Sequence, residues 1–178
     1  QRLITNFQNW PMDRAIGGGV GMLAPLWDDL KISDDGGVYQ FYDEETASFI
    51  IEWYRMRHRV GGNSDLTFQV VLYDNNIWVS GTGDQRIAFY YKQVADVRGR
   101  GEDWINSAPY ASVGISSPDG TTGLNYSYNN IRPVTSPPLE NQRALLFTNS
   151  PIHSAGILLG TLTDRETGEP IENAVIST

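Results

Sequence analysis

The sequence predicts an all-β domain, either an antiparallel β-sandwich, for example a jelly-roll-like one, or a barrel, with an extra C-terminal strand or hairpin. Three observations favour this fold class. Apolar residues alternate with a period of two, clusters of turn-forming residues separate the short apolar runs, and no segment has the pattern of a long capped helix. The length of 178 residues is in the range of one principal domain.

Alternation of apolar and polar side chains indicates the individual strands, because successive strand residues face opposite sides of a sheet. The clearest runs are residues 47–54, 66–73 and 87–92. Shorter candidate strands are residues 21–26, 37–42, 77–80, 110–116, 124–128 and 144–148. Among the turn signals, Asp74-Asn75-Asn76 suits a tight hairpin, because Asn tolerates a positive φ angle.

The use of aromatic residues divides the chain. All 20 of them (5 Trp, 9 Tyr and 6 Phe) lie in residues 1–150. Asn149-Ser150-Pro151 at the boundary is a linker or turn signal. We therefore expect a β-sandwich domain over residues 1–150, followed over residues 151–178 by a linker and a segment of a different kind. Because the chain begins at Gln1 and not at Met, we expect a processed product or an excised fragment.

Charge and composition exclude several classes of function. The net charge of −8 and the lack of a basic stripe argue against nucleic-acid binding. The absence of cysteine excludes disulfides, thiol catalysis and cysteine-ligated metal centres. No apolar run reaches the roughly 18 residues of a membrane-spanning helix, so no membrane span is predicted.

Catalytic motifs are weak in this chain. Residues 113–118 lack the Gly-x-Ser-x-Gly elbow of a serine hydrolase, and residues 17–21 are not followed by the Gly-Lys-Ser/Thr of a phosphate-binding loop. His58 and His153 have no metal-ligand partner at i+4, and both are expected on the surface. A glycosidase needs two carboxylates facing one cleft, and no motif indicates such a pair. We therefore expect no enzymatic activity.

Acidic loop residues are candidate ligands for Ca²⁺, a hard cation that prefers oxygen donors. The candidates are the adjacent pairs Asp28, Asp29 and Asp34, Asp35. A structural Ca²⁺ ion is the one cofactor that the sequence suggests. In the alternative interpretation these residues serve solubility and Asx turns. For Asp28 and Asp29 we favour a loop-anchoring role, in which a carboxylate accepts hydrogen bonds from neighbouring backbone amides.

Aromatic residues beside polar loops are the candidates for a binding face, because exposed Trp and Tyr rings stack on sugars and peptides. Trp78 and Trp104 lie in such segments, whereas Trp27 and Trp53 lie on apolar strand patterns and are expected in the core. The candidate face is extended by Tyr90, Tyr126 and Tyr128. In the alternative interpretation, Trp104 closes one end of the sandwich.

The order of the strand sequences carries a family resemblance. The series is LAPLWDDL (23–30), GVY (37–39), FIIEW (49–53), FQVVLY (68–73), IAFYY (87–91) and ASVGI (111–115). In this order the strands resemble the nidogen-like β-rich domains of extracellular proteins. They are more similar still to a β-sandwich module that recurs in very large secreted bacterial proteins. The resemblance covers about residues 20–148 and implies a nidogen-like sandwich without a catalytic motif.

The tail carries a second resemblance. ILLGTLTD (157–164) and TGEPIENAVI (167–176) resemble the start of a carboxypeptidase-regulatory-like module, a small transthyretin-like sandwich that usually serves as a spacer. The resemblance covers about residues 156–178 and implies an incomplete module. Because a lone apolar hairpin is marginal in water, we expect the tail to add to a sheet edge, in its own chain or in a neighbouring one. The expected assembly strand contains Ile157, Leu158, Leu159 and Leu162.

Together the resemblances imply a non-catalytic extracellular module of a large secreted or cell-surface bacterial protein that serves architecture or adhesion. Expected partners are neighbouring modules of the same polypeptide, other copies of the chain, and a glycan or surface protein. Two alternatives stay open. The chain is a carbohydrate-binding accessory domain of a secreted hydrolase, or it is a subunit of an extracellular filament assembled by exchange of the C-terminal strand.

Overall fold

The computed structural model describes residues 9–13, 21–59, 64–94, 111–129 and 131–148. In these ranges the chain forms eight strands and no helix. The strands are β1 (Leu23–Trp27), β2 (Leu30–Asp43), β3 (Ser48–His58), β4 (Leu66–Tyr73), β5 (Ile87–Gln93), β6 (Ser112–Ser116), β7 (Gly123–Ser127) and β8 (Arg143–Phe147). Nothing in the described part of the chain is a helix long and apolar enough to span a membrane.

The strands form two sheets in which every neighbouring pair is antiparallel. The three-stranded sheet has the order β1-β6-β7, and the five-stranded sheet has the order β2-β3-β4-β5-β8. Two antiparallel sheets that bury their apolar faces against each other form a β-sandwich. The predicted fold class is therefore confirmed. The predicted C-terminal strand or hairpin lies outside the described residues.

The apolar core lies between the two sheets and takes residues from both. Phe68 and Tyr91, on β4 and β5, belong to the same buried cluster as Leu26 of β1 and Val113 of β6. The buried hydroxyl of Tyr91 donates a hydrogen bond to the carbonyl oxygen of Pro25, 2.7 Å away. This bond satisfies a polar group inside the core and ties the five-stranded sheet to the three-stranded one.

The two tryptophans predicted in the core occupy different environments. The ring of Trp53 stacks on Phe68, with 5.4 Å between the centroids and 14° between the planes, and packs against the core. Trp27 is only half-buried and is not part of the core cluster. The prediction is confirmed for Trp53 and wrong for Trp27, whose neighbour Leu26 takes the position in the core.

The predicted strand over residues 77–80 is a turn in the structure. The carbonyl oxygen of Asp74 accepts hydrogen bonds from the amides of Ile77 and Trp78, at 3.1 and 2.8 Å. The Asp74 carboxylate also accepts a bond from the Asn76 amide, at 2.8 Å. These local bonds replace strand pairing. Residues 74–86 therefore form a long loop between β4 and β5, and the tight hairpin predicted there is wrong.

Residues 9–13 lie along the three-stranded sheet. The amide of Met12 donates a hydrogen bond to Oδ1 of Asn125 on β7, at 2.6 Å. The hydroxyl of Ser112 on β6 donates one to the carbonyl oxygen of Trp10, at 2.7 Å. Met12 is buried. The segment before β1 thus covers part of this sheet.

Gly114 of β6 permits the backbone of β7 and the side chain of Met12 to lie close to β6. A Cβ atom added there would overlap the carbonyl oxygen of Leu124 and would lie 2.8 Å from the side chain of Met12. Backbone atoms cannot move aside without disturbing the pairing of β6 with β7. A side chain at this position is therefore incompatible with the observed packing.

Candidate functional site

The candidate site lies on the outer face of the five-stranded sheet, which we define as the face that points away from the three-stranded sheet. Because side chains alternate along a strand and Phe68 points into the core, Gln69 of β4 lies on the outer face. The register places Glu52 of β3 and Tyr90 of β5 on either side of Gln69. The next row of the same face contains Ile50, Val71 and Ala88.

Three aromatic side chains meet on this face, namely Tyr73, Trp78 and Tyr90. The hydroxyls of Tyr73 and Tyr90 are hydrogen-bonded at 2.8 Å, and the rings of Tyr73 and Trp78 meet edge to face with 5.3 Å between centroids. They line a cavity of about 590 Å³, which we call the aromatic cleft. Ligand sites commonly measure roughly 300–1,000 Å³. The cleft is also lined by Glu52, Gln69, Arg86, Ala88, Lys92 and Leu146.

Trp78 is held in the wall of the aromatic cleft by two contacts. Its Nε1 donates a hydrogen bond to the carbonyl oxygen of Thr46 in the turn between β2 and β3, at 2.7 Å. The guanidinium carbon of Arg86 lies 5.9 Å from the centre of its ring, within cation–π distance. Even so, 38% of Trp78 stays exposed. The cleft therefore combines an anchored, exposed aromatic wall with an apolar floor at the buried Ala88.

The Tyr73 hydroxyl is neutral in this environment. Burial raises the pKa of Tyr73 well above its ordinary value, and the hydrogen bond with Tyr90 raises it further. The positive charge of Arg86 lowers the same pKa and does not reverse the shift. The hydroxyl thus keeps its proton in neutral solution, where it both donates and accepts hydrogen bonds.

Charges of both signs line the aromatic cleft. The carboxylate of Glu52 accepts a hydrogen bond from the Gln69 amide, at 3.3 Å. Arg86 and Lys92 have no carboxylate partner in the described part of the chain. Nε of Arg86 is buried and, within the same residues, has no hydrogen-bond acceptor. An unpaired buried donor typically costs about 1–3 kcal/mol, so this guanidinium has unused hydrogen-bonding capacity.

The predicted aromatic residues do not share one surface. Trp78 lies in the aromatic cleft together with Tyr90, which was expected to extend the binding face. Tyr126 packs against the core and donates its hydroxyl proton to a backbone carbonyl. Tyr128 lines a separate depression beside residues 9–13. The reason is topological, since β7 belongs to the three-stranded sheet. Trp104 lies outside the described residues.

Of the residues that line the aromatic cleft, sequence reasoning named only Trp78 and Tyr90, and it missed Tyr73 and Arg86 among others. The alternation along β4 was enough to put Tyr73 on the same face as Gln69. The alternation does not reveal which strands are neighbours, so the meeting of Tyr73 with Tyr90 had no sequence signal. Arg86 directly precedes β5, and no sequence pattern indicates its contact with the Trp78 ring.

The proposed calcium ligands were Asp28, Asp29, Asp34 and Asp35. The carboxylate of Asp29 pairs with Arg59 at 2.8 Å, and that of Asp35 pairs with Arg55 at 2.9 Å. Oδ1 of Asp28 accepts a hydrogen bond from the Asp29 amide at 2.7 Å, which is the loop-anchoring contact expected from the sequence. Over the described ranges no group of three or more potential ligands is placed to hold a metal ion. The calcium site stays a prediction.

His58 is buried, and its predicted surface position is wrong. The side chain has 0% exposure, and its Nδ1 lies 3.3 Å from Oδ2 of Asp28. The physical reason is its place at the end of β3, on the same buried side of the strand as Met56. The neighbouring Arg57 pairs with Asp65 at 2.6 Å. The second histidine lies outside the described residues.

The predicted assembly strand is not among the described residues. Its members are Ile157, Leu158, Leu159 and Leu162. The described part of the fold does contain strands with one unpaired edge, because β2 and β8 end the order of the five-stranded sheet. Such edges present free backbone donors and acceptors to another strand.

The fold and the aromatic cleft together define an antiparallel β-sandwich module with an open, aromatic-lined face. The family described as NIDO related matches residues 5–150, and the chain belongs to this family. The nidogen-like resemblance is thereby confirmed. The match ends at residue 150 and gives no support to the carboxypeptidase-regulatory-like module expected over residues 156–178. The comparisons with curated proteins and with solved structures find no match.

Proposed function

We propose that the chain is a non-catalytic extracellular module of a large secreted or cell-surface bacterial protein, and that it serves adhesion or architecture. Membership of the NIDO-related family supports an extracellular location, because domains of this kind are typical of extracellular proteins. The partners are neighbouring modules of the same polypeptide and a glycan or protein bound on the outer face.

The observation that carries this proposal is the aromatic cleft. Trp78 and Tyr90 remain 38% and 40% exposed, although a hydrogen bond anchors each of them. Exposed aromatic surface that is held in place is typical of an interaction site. Glu52 is the one carboxylate among the described residues that line the cleft, whereas glycoside hydrolysis uses two. This composition favours binding over hydrolysis.

The test combines location with binding. Antibodies against the chain should label intact producing cells, or their secreted fraction, without permeabilisation. Purified full-length chain should bind at least one class of immobilised glycan or cell-surface protein. Trp78→Ala should weaken that binding by about tenfold or more, since truncation of a central aromatic anchor commonly costs 2 kcal/mol or more.

Ile77→Ala is the matched control for this experiment. Ile77 belongs to the same loop and is 66% exposed, but it does not line the aromatic cleft. Its truncation should leave binding unchanged. Labelling only after permeabilisation would refute the extracellular location. An equal loss of ligand affinity in Trp78→Ala and Ile77→Ala would refute the cleft as the binding surface.

A second candidate function is a carbohydrate-binding accessory domain of a secreted hydrolase. The arrangement of Trp78, Tyr73 and Tyr90 favours it, because aromatic rings flanked by hydrogen-bonding groups suit the apolar and polar faces of a pyranose. On this proposal, binding is confined to glycans and protein ligands give no signal. The third candidate is a filament subunit assembled through the C-terminal strand. The molar mass of the chain in solution, as a function of concentration, tests it.

A further inference from the structure

We propose that the aromatic cleft binds a carboxylate-bearing sugar, such as a uronic acid unit of an acidic polysaccharide, with the pyranose ring on Trp78 and Tyr90 and the carboxylate at Arg86. This inference rests on the glycan-binding role proposed above and specifies the ligand class. Three features of the cleft carry it, namely its aromatic surface, its unpaired cations and the position of its single acidic group.

The aromatic surface selects a ring-shaped ligand. Trp78 and Tyr90 each keep more than a third of their surface exposed, and the Tyr73 hydroxyl joins them at 2.8 Å from that of Tyr90. An aromatic ring packs against the C–H face of a pyranose, while phenolic hydroxyls bond to its hydroxyl groups. The cavity of about 590 Å³ is large enough for more than a single small ion.

The unpaired cations select a negative charge. Of the arginines in the described ranges, four have a carboxylate partner, namely Arg55, Arg57, Arg59 and Arg143. Arg86 has none, and neither does Lys92. Arg132 also lacks a carboxylate partner, but its Nε donates a hydrogen bond to the carbonyl oxygen of Ser136, whereas Nε of Arg86 has no acceptor among the described residues. A planar guanidinium matches a carboxylate, which accepts two parallel hydrogen bonds from it.

The single carboxylate of the cleft does not cancel this preference. Glu52 accepts its hydrogen bond from Gln69 and forms no ion pair with Arg86 in the described structure. Glu52 and Gln69 lie on β3 and β4, whereas Arg86 directly precedes β5. The carboxylate and amide can therefore bond to sugar hydroxyls while Arg86 bonds to the acidic group.

The experiment measures binding of the full-length chain to four polymers by isothermal titration calorimetry or affinity electrophoresis. Polygalacturonate is the acidic probe, its methyl ester is the neutral probe with the same backbone, alginate is a second uronate, and poly-glutamate carries carboxylates without sugars. We expect binding to one or both uronates, at least tenfold weaker binding to the neutral ester, and no binding to poly-glutamate. Affinity for the uronate should also fall as salt is raised.

Variants assign the interaction to the cleft. Arg86→Gln should lose about tenfold or more in affinity for the uronate, and Arg86→Lys, which keeps the charge, should retain part of it. Arg132→Gln is the control with the same change of charge, because Arg132 lies outside the aromatic cleft. Thermal unfolding of each variant checks that the fold is intact.

The outcomes separate this inference from the broader proposal. If the ester and the acid bind equally well and Trp78→Ala weakens both interactions, the preference for an acidic ligand is wrong, and the cleft binds neutral glycans. If poly-glutamate binds as strongly as the uronates, the cleft recognises carboxylates without a sugar, and the proposed ligand class is wrong. A failure of every polymer to bind, while a protein ligand binds through Trp78, would overturn the inference and retain adhesion as the function.

Discussion

Phe68 illustrates at the scale of single residues how burial determines the effect of a substitution. It is 1% exposed, and its ring contacts both Trp53 and Tyr91 in the core. We expect Phe68→Ala to lower the free energy of unfolding by about 3–5 kcal/mol, because it removes apolar contacts and leaves a cavity. Urea-induced unfolding measures this change.

Phe41→Ala is the matched control, since Phe41 is 63% exposed on β2. Its effect should stay within about 0.5 kcal/mol. Similar losses of stability in both variants would contradict the assignment of the core to the space between the sheets.

Asp119 offers a prediction about proton binding at the same scale. Hydrogen bonds from the Ser117 hydroxyl and from the Thr121 amide and hydroxyl lower the pKa of Asp119 from 3.8 to about 2. Because this pKa is below the unfolded value, the stabilisation is fully present above about pH 4 and is lost as the pH falls through about 2.

Carbon-detected NMR titration of the Asp119 carboxyl group should give a midpoint near 2 in the native chain. Ser117→Ala should move the midpoint upward, because it removes the strongest of these hydrogen bonds. A midpoint in the unsubstituted chain at the ordinary value of 3.8 would contradict the hydrogen-bonded turn.

The sequence alone predicted some residue environments and not others. Trp53 was placed in the core correctly, because period-two alternation directly encodes which side of a strand a residue occupies. His58 was misplaced because the pairing of β3 with β4 shifts register between Trp53 and Met56, so that Met56 and His58 lie on the buried side that simple alternation from Trp53 does not predict. The same limit explains why Trp78 and Tyr90 were recognised as aromatic candidates while their contact with Tyr73 was not.

Among the strands, prediction succeeded where a run of alternating side chains also pairs with neighbouring strands in the sheet. The predicted runs at residues 66–73 and 87–92 correspond closely to β4 and β5. Prediction failed at residues 77–80, where the sequence is apolar but Asp74 captures the following amides. Local turn chemistry therefore prevailed over apolar content, and the resulting loop supplies Trp78 to the aromatic cleft.

The pairing of β6 with β7 depends on Gly114. We expect Gly114→Ala to destabilise the fold by about 1–3 kcal/mol, because its Cβ would overlap the Leu124 carbonyl oxygen and contact Met12. Amide hydrogen exchange should become faster in this variant, mainly in β6, β7 and residues 9–13. Leu124→Ala, at a residue 63% exposed on the same strand pair, is the control and should change little. Unchanged protection in Gly114→Ala would contradict the close packing.

At the scale of the whole molecule, the filament proposal predicts self-association of the full-length chain through Leu159 and its neighbours. Light-scattering mass measured during size-exclusion chromatography should rise with concentration to a dimer or larger species. Leu159→Asp should stay monomeric, because a charge in an apolar pairing strand opposes its burial. Asn173→Asp introduces the same charge elsewhere in the tail and should associate normally. A monomer at every concentration would refute strand exchange.

The connectivity of the two sheets also determines how the module would carry tension. The chain passes through residues 9–13 and β1 in the three-stranded sheet, and it leaves the described fold through β8 in the five-stranded sheet. A pull on the two ends therefore acts on different sheets. The load is transmitted through the apolar contacts between them and through the bond from Tyr91 to Pro25. Mechanical resistance thus depends on the same core that sets thermodynamic stability, and the strand that receives the load, β8, also lines the aromatic cleft.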